Sequence, residues 1–171
     1  MLIPTVTTDR LTLRAPRESD LPAFAAFRAS DRTSFLGGPF DETDSFKQLC
    51  AIAGHWQIRG FGRWMVADRT TDEPLGVVGL FFPVHWPEPE LAWSVFAAGE
   101  GRGVAHESAC AARDYAYDSL GMTTLISCID PANSRSIALA RRMGATPDGH
   151  FDHPRSGAIH VWRHPGPGDT P

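Results

Sequence analysis

The fold of this chain is indicated most clearly by residues 100–109, which read Glu-Gly-Arg-Gly-Val-Ala-His-Glu-Ser-Ala. This glycine turn follows an apolar run at residues 91–96, typical of a strand, and precedes a helical pattern from about Ala105 to Leu120. Glycine lets a backbone approach a ligand closely, and the free amides of a helix's first turn attract anions. An isolated Gly-x-Gly is more often a simple turn. The order strand, glycine turn, long helix instead favours a pyrophosphate-binding loop, to which Arg102 can add a charged contact.

Spacing excludes two well-known phosphate loops. A Walker loop requires a Gly-Lys pair, which this chain lacks, and a dinucleotide fingerprint requires glycine where this chain has His106. The stretch instead resembles the acyl-coenzyme A loop of the GCN5-related N-acetyltransferases (GNAT), written Gln/Arg-x-x-Gly-x-Gly/Ala. Gly103 and Ala105 match the last two defined positions, whereas Glu100 replaces Gln or Arg. We therefore expect Glu100 to turn toward solvent and leave phosphate binding to Arg102 and the backbone amides.

The composition is that of an ordinary globular enzyme. The chain has 171 residues, 42% hydrophobic and 21% charged, which suits one domain. A net charge of −4 argues against a general nucleic-acid binder. Three cysteines (Cys50, Cys110 and Cys128) without C-x-x-C spacing argue against a disulfide framework and a zinc site, so we expect no metal. There is no apolar run of membrane-spanning length and no basic-then-apolar signal, so we expect a cytoplasmic protein with no membrane association.

The hydrophobic patterns predict one α/β domain over residues 1–163. Strands are predicted at 11–14, 64–67, 75–82, 91–96, 124–129 and 158–162. Helices are predicted after a cap at Ser19-Asp20, at 44–58, at 105–120 and at 134–143. The tail from His164 to Pro171 has little apolar content, and we expect it to be disordered.

Further motifs strengthen the resemblance and extend it from about Thr8 to His164. The stretches that carry it are Thr8–Arg14, Gly60–Trp64, Pro74–Leu80, Asn133–Ser136 and Arg142–Ala145. Together they look like the branch of the superfamily that contains the ribosomal-protein N-terminal acetyltransferases of the RimJ and RimL type.

The resemblance implies a mixed, mostly antiparallel sheet, splayed in the middle, with helices on both faces. It also implies acetyl-coenzyme A as the donor, with its pyrophosphate on the loop and its thioester oxygen near amides of the preceding strand. The implied cofactor-binding residues are Ser94, Val95, Gly101, Arg102, Gly103, Val104, Ala105 and Asn133. Transfer to an amine requires a neutral amine, a stabilised oxyanion and a proton for the departing thiolate.

Glu90 is the first candidate for the base. It begins the strand that leads to the loop, where many family members carry a carboxylate, and burial there would raise its pKa. A solvated carboxylate in the Pro-rich hairpin at residues 87–90 is an equal alternative. His85, which titrates near neutrality, is the second candidate, although a loop histidine is usually just solvated.

The helix at residue 134 carries the candidate acid. Many superfamily members use a tyrosine at the position of Ala140, which is absent here. The ribosomal-protein branch points instead to Ser136 as the proton donor, with Asn133 near the cofactor arm. A plain helix cap explains the same residues equally well, and both roles can coexist.

These observations predict an acetyl-coenzyme A-dependent N-acetyltransferase that works by direct attack of a primary amine. An α-amine, with a pKa of about 8, needs less help from a base than lysine, so a protein or peptide N-terminus is favoured. The alternatives are a small-molecule amine acetyltransferase (acting on an antibiotic, polyamine or amino acid) and a non-catalytic acyl-coenzyme A sensor. Monomer and homodimer both remain open.

Overall fold

The computed structural model describes residues 2–154 and 157–169. The strands are β1 (Val6–Thr7), β2 (Leu11–Arg14), β3 (Arg63–Asp68), β4 (Pro74–Phe81), β5 (Glu90–Val95), β6 (Ile126–Ile129), β7 (Thr146–His153) and β8 (Gly157–Arg163). The α-helices are α1 (Leu21–Arg28), α2 (Glu42–Arg59), α3 (Val104–Asp118) and α4 (Ser134–Arg142). Short 3-10 helices cover Glu18–Asp20, Asp31–Leu36 and Ala97–Gly99.

All eight strands form one sheet in the order β1-β2-β3-β4-β5-β6-β8-β7. Neighbouring strands are antiparallel except β5 and β6, which are parallel and pair only at Glu90 and Ile126. Beyond that pair the two strands separate toward their carboxyl ends. The predicted mixed, mostly antiparallel and splayed sheet is therefore confirmed.

Helices cover both faces of the sheet because the central strands are apolar on both sides. On one face, the small residues Ala109, Ala112 and Ala116 of α3 are fully buried in a cluster that includes Trp64 and Val78. On the other face, α1 and α2 contribute a second cluster, whose members are Phe24, Phe27, Leu49, Ile52, Met65, Val77 and Phe96. The small residues of α3 thus form the surface of that helix that packs on the sheet.

Asp20 does not cap α1 as the sequence suggests. Its side chain makes no capping hydrogen bond to the helix, and its carboxylate instead accepts two hydrogen bonds from the Arg14 guanidinium, at 2.8 and 2.9 Å. Both side chains are buried, and a buried charge requires such a partner. The Asp20 carboxylate also accepts a hydrogen bond from the Arg17 backbone amide at 2.7 Å. Through Arg14, Asp20 therefore connects the start of α1 to β2.

Both edge strands and the start of the tail also differ from the sequence prediction. The two-residue edge strand β1 was not predicted. The edge strand β7 was not predicted, because it contains Pro147 and Gly149 and is largely exposed, without apolar alternation. The predicted disordered tail is wrong at its start, because His164 is buried and donates its amide to the Leu125 carbonyl at 3.0 Å. The Pro165 carbonyl also accepts the Tyr117 hydroxyl, at 2.7 Å. The last two residues lie outside the described part of the chain.

No helix in the described part of the chain is both long and apolar enough to cross a membrane.

Candidate active site

The glycine turn has a backbone conformation that favours glycine at two positions. Gly101 and Gly103 have φ angles of +71° and +77°, a region that side chains with a Cβ rarely adopt. Gly103 immediately precedes α3, and no side chain caps that helix start. The amides of the first turn therefore remain available to an anion at the positive end of the helix dipole.

A cavity of about 560 Å³ lies in front of this helix start. It occupies the opening between the separated strands, with the glycine turn on one side and α4 on the other. The predicted site residues that line it are Ser94, Val95, Gly101, Gly103, Val104, Ala105, Asn133 and Ser136. The structure thus brings together eight residues from three separate segments of the sequence.

The backbone of β5 offers hydrogen-bonding groups to the cavity where β6 has moved away. The Phe96 amide donates to the Leu75 carbonyl at 2.8 Å, so even-numbered residues of β5 direct their backbone groups toward β4. The Leu91 carbonyl accepts the Ser127 hydroxyl at 2.6 Å, so odd-numbered residues face β6. The Val95 amide belongs to the second set and faces the opening.

Ser94 and Val95 therefore contribute differently from what was expected. The resemblance implied that both residues bind the cofactor, with amides of this strand near the thioester oxygen. The register between β4 and β5 runs without a shift, and Ser94 directs its backbone toward its partner Val77. Trp93 and Val95 are the residues whose amides face the gap, and they need no bulge to do so because β6 is absent beside them.

Arg102 points away from the cavity. Its guanidinium forms an ion pair with Asp68 at 3.1 Å and donates to the Ala98 carbonyl at 3.1 Å. The expected contact between this side chain and a phosphate is therefore not supported by its position. Only the backbone of Arg102 belongs to the glycine turn.

Glu100 is exposed, as expected, but its carboxylate is also paired with two arginines. Its carboxylate accepts hydrogen bonds from Arg32 at 2.5 Å and from Arg135 at 2.8 Å, and all three side chains line the cavity. The hydrogen bond from Arg32 is the main reason that the pKa of Glu100 lies below its usual range. Glu100 thus holds two arginines at the cavity mouth, where the family pattern places Gln or Arg.

The start of α4 forms the opposite wall. The Asn133 side chain accepts the Ser136 amide at 3.1 Å, so Asn133 is a helix cap as one alternative proposed. The Ser136 Oγ accepts a hydrogen bond from the Trp93 indole at 3.2 Å, across the opening between β5 and α4. Because Ser136 uses its oxygen as an acceptor there, its own proton remains available to another group.

Glu90 is buried, with 6% of its surface exposed. Burial raises its pKa from 4.5 to about 7, although the Cys128 amide, which donates to the carboxylate at 2.9 Å, and the nearby Arg63 charge favour the ionised form. The solvated-carboxylate alternative is therefore wrong. Burial and Glu90 together raise the pKa of the Cys128 thiol, which argues against Cys128 as a nucleophile.

The histidines differ in their environments. His85 is exposed in the β4–β5 loop with a φ of +78°, and its ring lies 6.3 Å from that of His153. His55 is fixed in the neutral form, because its Nε2 accepts the Phe82 amide at 3.1 Å while its Nδ1 lies 2.7 Å from the Phe61 carbonyl. Burial lowers the pKa of His55, in agreement with that assignment.

Two residues of the cavity wall were missed by sequence reasoning. Arg32 lies in a 3-10 helix 68 residues from its partner Glu100, and no local pattern marks it. Trp93 was recognised only as part of an apolar run, although its position two residues before the end of β5 places it beside the gap. No group of three or more His, Cys, Asp or Glu side chains suited to a metal occurs in the part of the chain that the structure describes.

Known proteins with similar sequences and structures are acetyltransferases. Residues 10–146, most of the chain, match the family model of the acetyltransferase (GNAT) domain. The chain is 25% identical over 154 residues to the uncharacterised N-acetyltransferase YoaA of Bacillus subtilis, with 86% of each chain covered.

Solved structures with a similar fold are also acetyltransferases. The crystal structure of an acetyltransferase from Agrobacterium tumefaciens is 36% identical, covers 96% of this chain and 95% of its own, and superposes with a TM-score of 0.86. RimL, a ribosomal α-N-protein acetyltransferase solved in complex with coenzyme A, is 18% identical with a TM-score of 0.75, over 94% of this chain and 97% of its own. At that identity, the likeness to RimL shows a common fold.

Proposed function

The chain belongs to the GNAT acetyltransferase family and uses acetyl-coenzyme A, and we propose that it acetylates a protein or peptide N-terminus by direct attack of the amine. The observation that carries this proposal is the cavity between β5 and α4, which opens onto the uncapped start of α3. RimL, which shares this fold, is a ribosomal α-N-protein acetyltransferase. A similar acceptor suits the open mouth of the cavity.

The donor's pyrophosphate would bind the backbone amides from Gly101 to Ala105. The positive end of the α3 dipole and these amides attract the pyrophosphate without any lysine. Arg32 and Arg135 at the cavity mouth, which Glu100 now pairs, offer further charge to the phosphates. The cavity therefore contains the groups that a polyanionic donor requires.

The transferred acetyl group would lie beside the separated part of β5. The amides of Trp93 and Val95 face the gap there and can donate to the thioester oxygen, which gains negative charge during attack. They are held by the rigid pairing of β5 with β4, so their position requires no rearrangement during the reaction.

Glu90 would accept the proton of the attacking amine. A base with a pKa of about 7 is half ionised at neutral pH, and in that range it both accepts and releases a proton readily. Glu90 lies five residues before Val95 on the same strand, about 16 Å along it, so a chain of water molecules would relay the proton across that separation. His85 is less suitable because it lies exposed in a loop.

Ser136 would supply the proton to the departing thiolate. Its hydroxyl lines the cavity, and the Trp93 indole fixes its oxygen. A hydroxyl is a weak acid, so stabilisation of the thiolate by a hydrogen bond is the larger part of this role. Asn133 contributes by holding the Ser136 backbone.

Two measurements test the proposed function. Acetyl-coenzyme A should raise the melting temperature, and thiol release should then follow with a peptide that has a free N-terminus. The same peptide blocked by N-terminal acetylation is the control for the α-amine. Turnover with polyamines or aminoglycosides but not with peptides would favour the small-molecule alternative. Stabilisation without turnover of any amine would favour a non-catalytic sensor.

A further inference from the structure

Hydrogen bonds from a distant part of the sequence fix the backbone of the glycine turn. Gly101 and Gly103 line the cavity, whereas Arg102 between them does not. The Arg102 carbonyl instead accepts a hydrogen bond from Arg10 Nη1 at 3.0 Å, and Arg10 lies 92 residues earlier in the chain, just before β2. Arg10 belongs to the Thr8–Arg14 motif, to which the proposed reaction assigns no role.

The direction of this carbonyl also determines the direction of the next amide. A peptide unit is planar and trans, so its C=O and N–H groups point to opposite sides. Because the Arg102 carbonyl points toward Arg10, the Gly103 amide of the same unit points away from Arg10, to the side where Gly103 lines the cavity. Gly103 directly precedes α3, so its amide is one of the donors that would meet the pyrophosphate.

The turn by itself provides little resistance to rotation of this peptide unit. The residues on both sides of Arg102 are glycines at positive φ, and glycine populates many backbone conformations unless another contact restricts it. Rotation of the unit would replace the Gly103 N–H by the Arg102 carbonyl oxygen, which repels a phosphate. The hydrogen bond from Arg10 opposes that rotation, because it would be lost.

Glu107 orients the Arg10 guanidinium. Its carboxylate accepts hydrogen bonds from Arg10 Nε at 2.8 Å and from Nη2 at 2.5 Å, so the whole guanidinium is fixed in one plane. The same carboxylate accepts hydrogen bonds from the Arg10 amide at 3.2 Å and from the Thr8 hydroxyl at 2.5 Å. Glu107 lies in the first turn of α3. Arg10 is therefore fixed relative to the helix start whose amides face the cavity.

The Arg102 side chain is attached on the same side as Arg10, because both residues line a smaller recess together with Asp68 and Thr70. The Arg102 guanidinium pairs with Asp68 and donates to the Ala98 carbonyl, both at 3.1 Å. The Thr70 amide in turn donates to the Asp68 carboxylate at 3.0 Å. Arg102 is thus fixed at its carbonyl and at its side chain, and both attachments lie outside the cavity.

On the basis of the proposed pyrophosphate site, we infer that Arg10, oriented by Glu107, is a positioning residue for the donor. It keeps the Gly103 amide directed at the pyrophosphate, and it acts through the Arg102 carbonyl without contacting the donor itself. The N-terminal motif and the glycine turn, which are distant in sequence, thus serve the same step. The effect concerns only the part of acetyl-coenzyme A that carries phosphates.

Calorimetric titration with coenzyme A tests the inference in Arg10→Ala. We expect Kd to rise at least about tenfold, as for the loss of one hydrogen bond to a charged group. The Arg10 side chain is 57% exposed, and exposed ion pairs contribute little to stability, so the melting temperature without ligand should fall by no more than about 3 °C. Arg17→Ala is the matched control, because Arg17 is 54% exposed and pairs with Asp72. It should bind coenzyme A like the wild type.

A donor without phosphates separates positioning from general damage to the site. The assay compares kcat/KM for acetyl-coenzyme A with that for S-acetylpantetheine, which lacks the pyrophosphate and the nucleotide. Arg10→Ala should lose at least about tenfold with acetyl-coenzyme A, through KM and not through kcat, but less than about twofold with S-acetylpantetheine. Equal losses with both donors would overturn the positioning role, because the variant would then disturb the active site as a whole.

Two further variants distinguish position from charge. Arg10→Lys keeps the positive charge but lacks the planar set of donors that reaches Glu107 and the Arg102 carbonyl together, so Kd should rise at least about threefold. Affinity equal to the wild type in Arg10→Lys would overturn the inference in favour of charge alone. Glu107→Gln should also raise Kd, and the double variant Arg10→Ala/Glu107→Gln should bind like Arg10→Ala alone. A further loss in the double variant would overturn the assignment of Glu107 to Arg10.

The titration decides the question even if no amine is turned over. An unchanged Kd for coenzyme A in Arg10→Ala overturns the inference and leaves the acetyltransferase function intact. A wild-type protein that does not bind coenzyme A counts against the proposed function instead.

Discussion

Replacement of Glu90 by glutamine tests the buried base through both stability and rate. Glu90 has a pKa of about 7 in the folded protein and 4.5 when unperturbed. Well below pH 4.5 the carboxyl is protonated in both the folded and the unfolded protein, so it does not change the free energy of unfolding. As the pH rises to 7 the unfolded chain loses the proton first, so the wild type loses about 3 kcal/mol of stability. The neutral glutamine avoids this loss.

Urea unfolding of both proteins between pH 4.5 and 8 measures the effect. We expect Glu90→Gln to gain about 3 kcal/mol relative to the wild type across that range. Glu88→Gln is the matched control with the opposite sign, because a hydrogen bond from Arg163 lowers the pKa of Glu88. Its ion pair stabilises the fold above pH 4.5, and the variant should lose stability there.

The pH dependence of kcat/KM should also depend on the Glu90 carboxyl. Below pH 7 the wild type needs both an ionised Glu90 and a neutral α-amine, whose pKa is about 8. The logarithm of kcat/KM should then rise with a slope of 2, and the slope should fall to 1 in Glu90→Gln, with a rate lower by about 10²-fold at pH 8. A constant stability difference between pH 4.5 and 8, together with parallel rate profiles, would refute the buried-base assignment.

Three further substitutions probe the donor side. Gly103→Asp should abolish coenzyme A binding in a titration, whereas Gly103→Asn, which tolerates the same positive φ, should lose less affinity; equal losses would mean that charge is irrelevant there. Ser136→Ala should lower kcat by about 10²-fold with little change in the KM for acetyl-coenzyme A, while the exposed Ser134→Ala should behave like the wild type; an unchanged kcat would remove Ser136 from the reaction. Glu100→Gln should lower the KM for acetyl-coenzyme A several-fold and make it more salt-dependent, because Arg32 and Arg135 are released toward the phosphates. A higher KM would mean that Glu100 is needed to position these arginines.

Local patterns were sufficient to predict most of the fold. The alanine stripe of α3 and the apolar alternation of the central strands come from burial against a neighbour, which leaves a periodic trace in the sequence. The edge strand β7 is paired on one side only and largely exposed, so no such trace exists. The positive φ angles of Gly101 and Gly103 could be expected because glycine is suited to them.

The site was predicted less completely than the fold. Residues fixed by backbone position, such as Val95 and Ser136, lie where the pattern placed them. Long charged side chains can pair with several partners that are distant in sequence. In the structure, Arg102 forms an ion pair with Asp68, and Glu100 forms one with Arg32. Such choices depend on tertiary geometry, which no local pattern records.

The single residue pair that joins β5 to β6 makes the sheet mechanically weak at its centre. Five strands lie on one side of this junction and three on the other. A bound donor arm would fill the gap as a substitute strand and bridge the two halves. Hydrogen exchange at the Trp93 and Val95 amides should therefore slow when coenzyme A binds, and the ligand should contribute to cohesion of the fold as well as to chemistry.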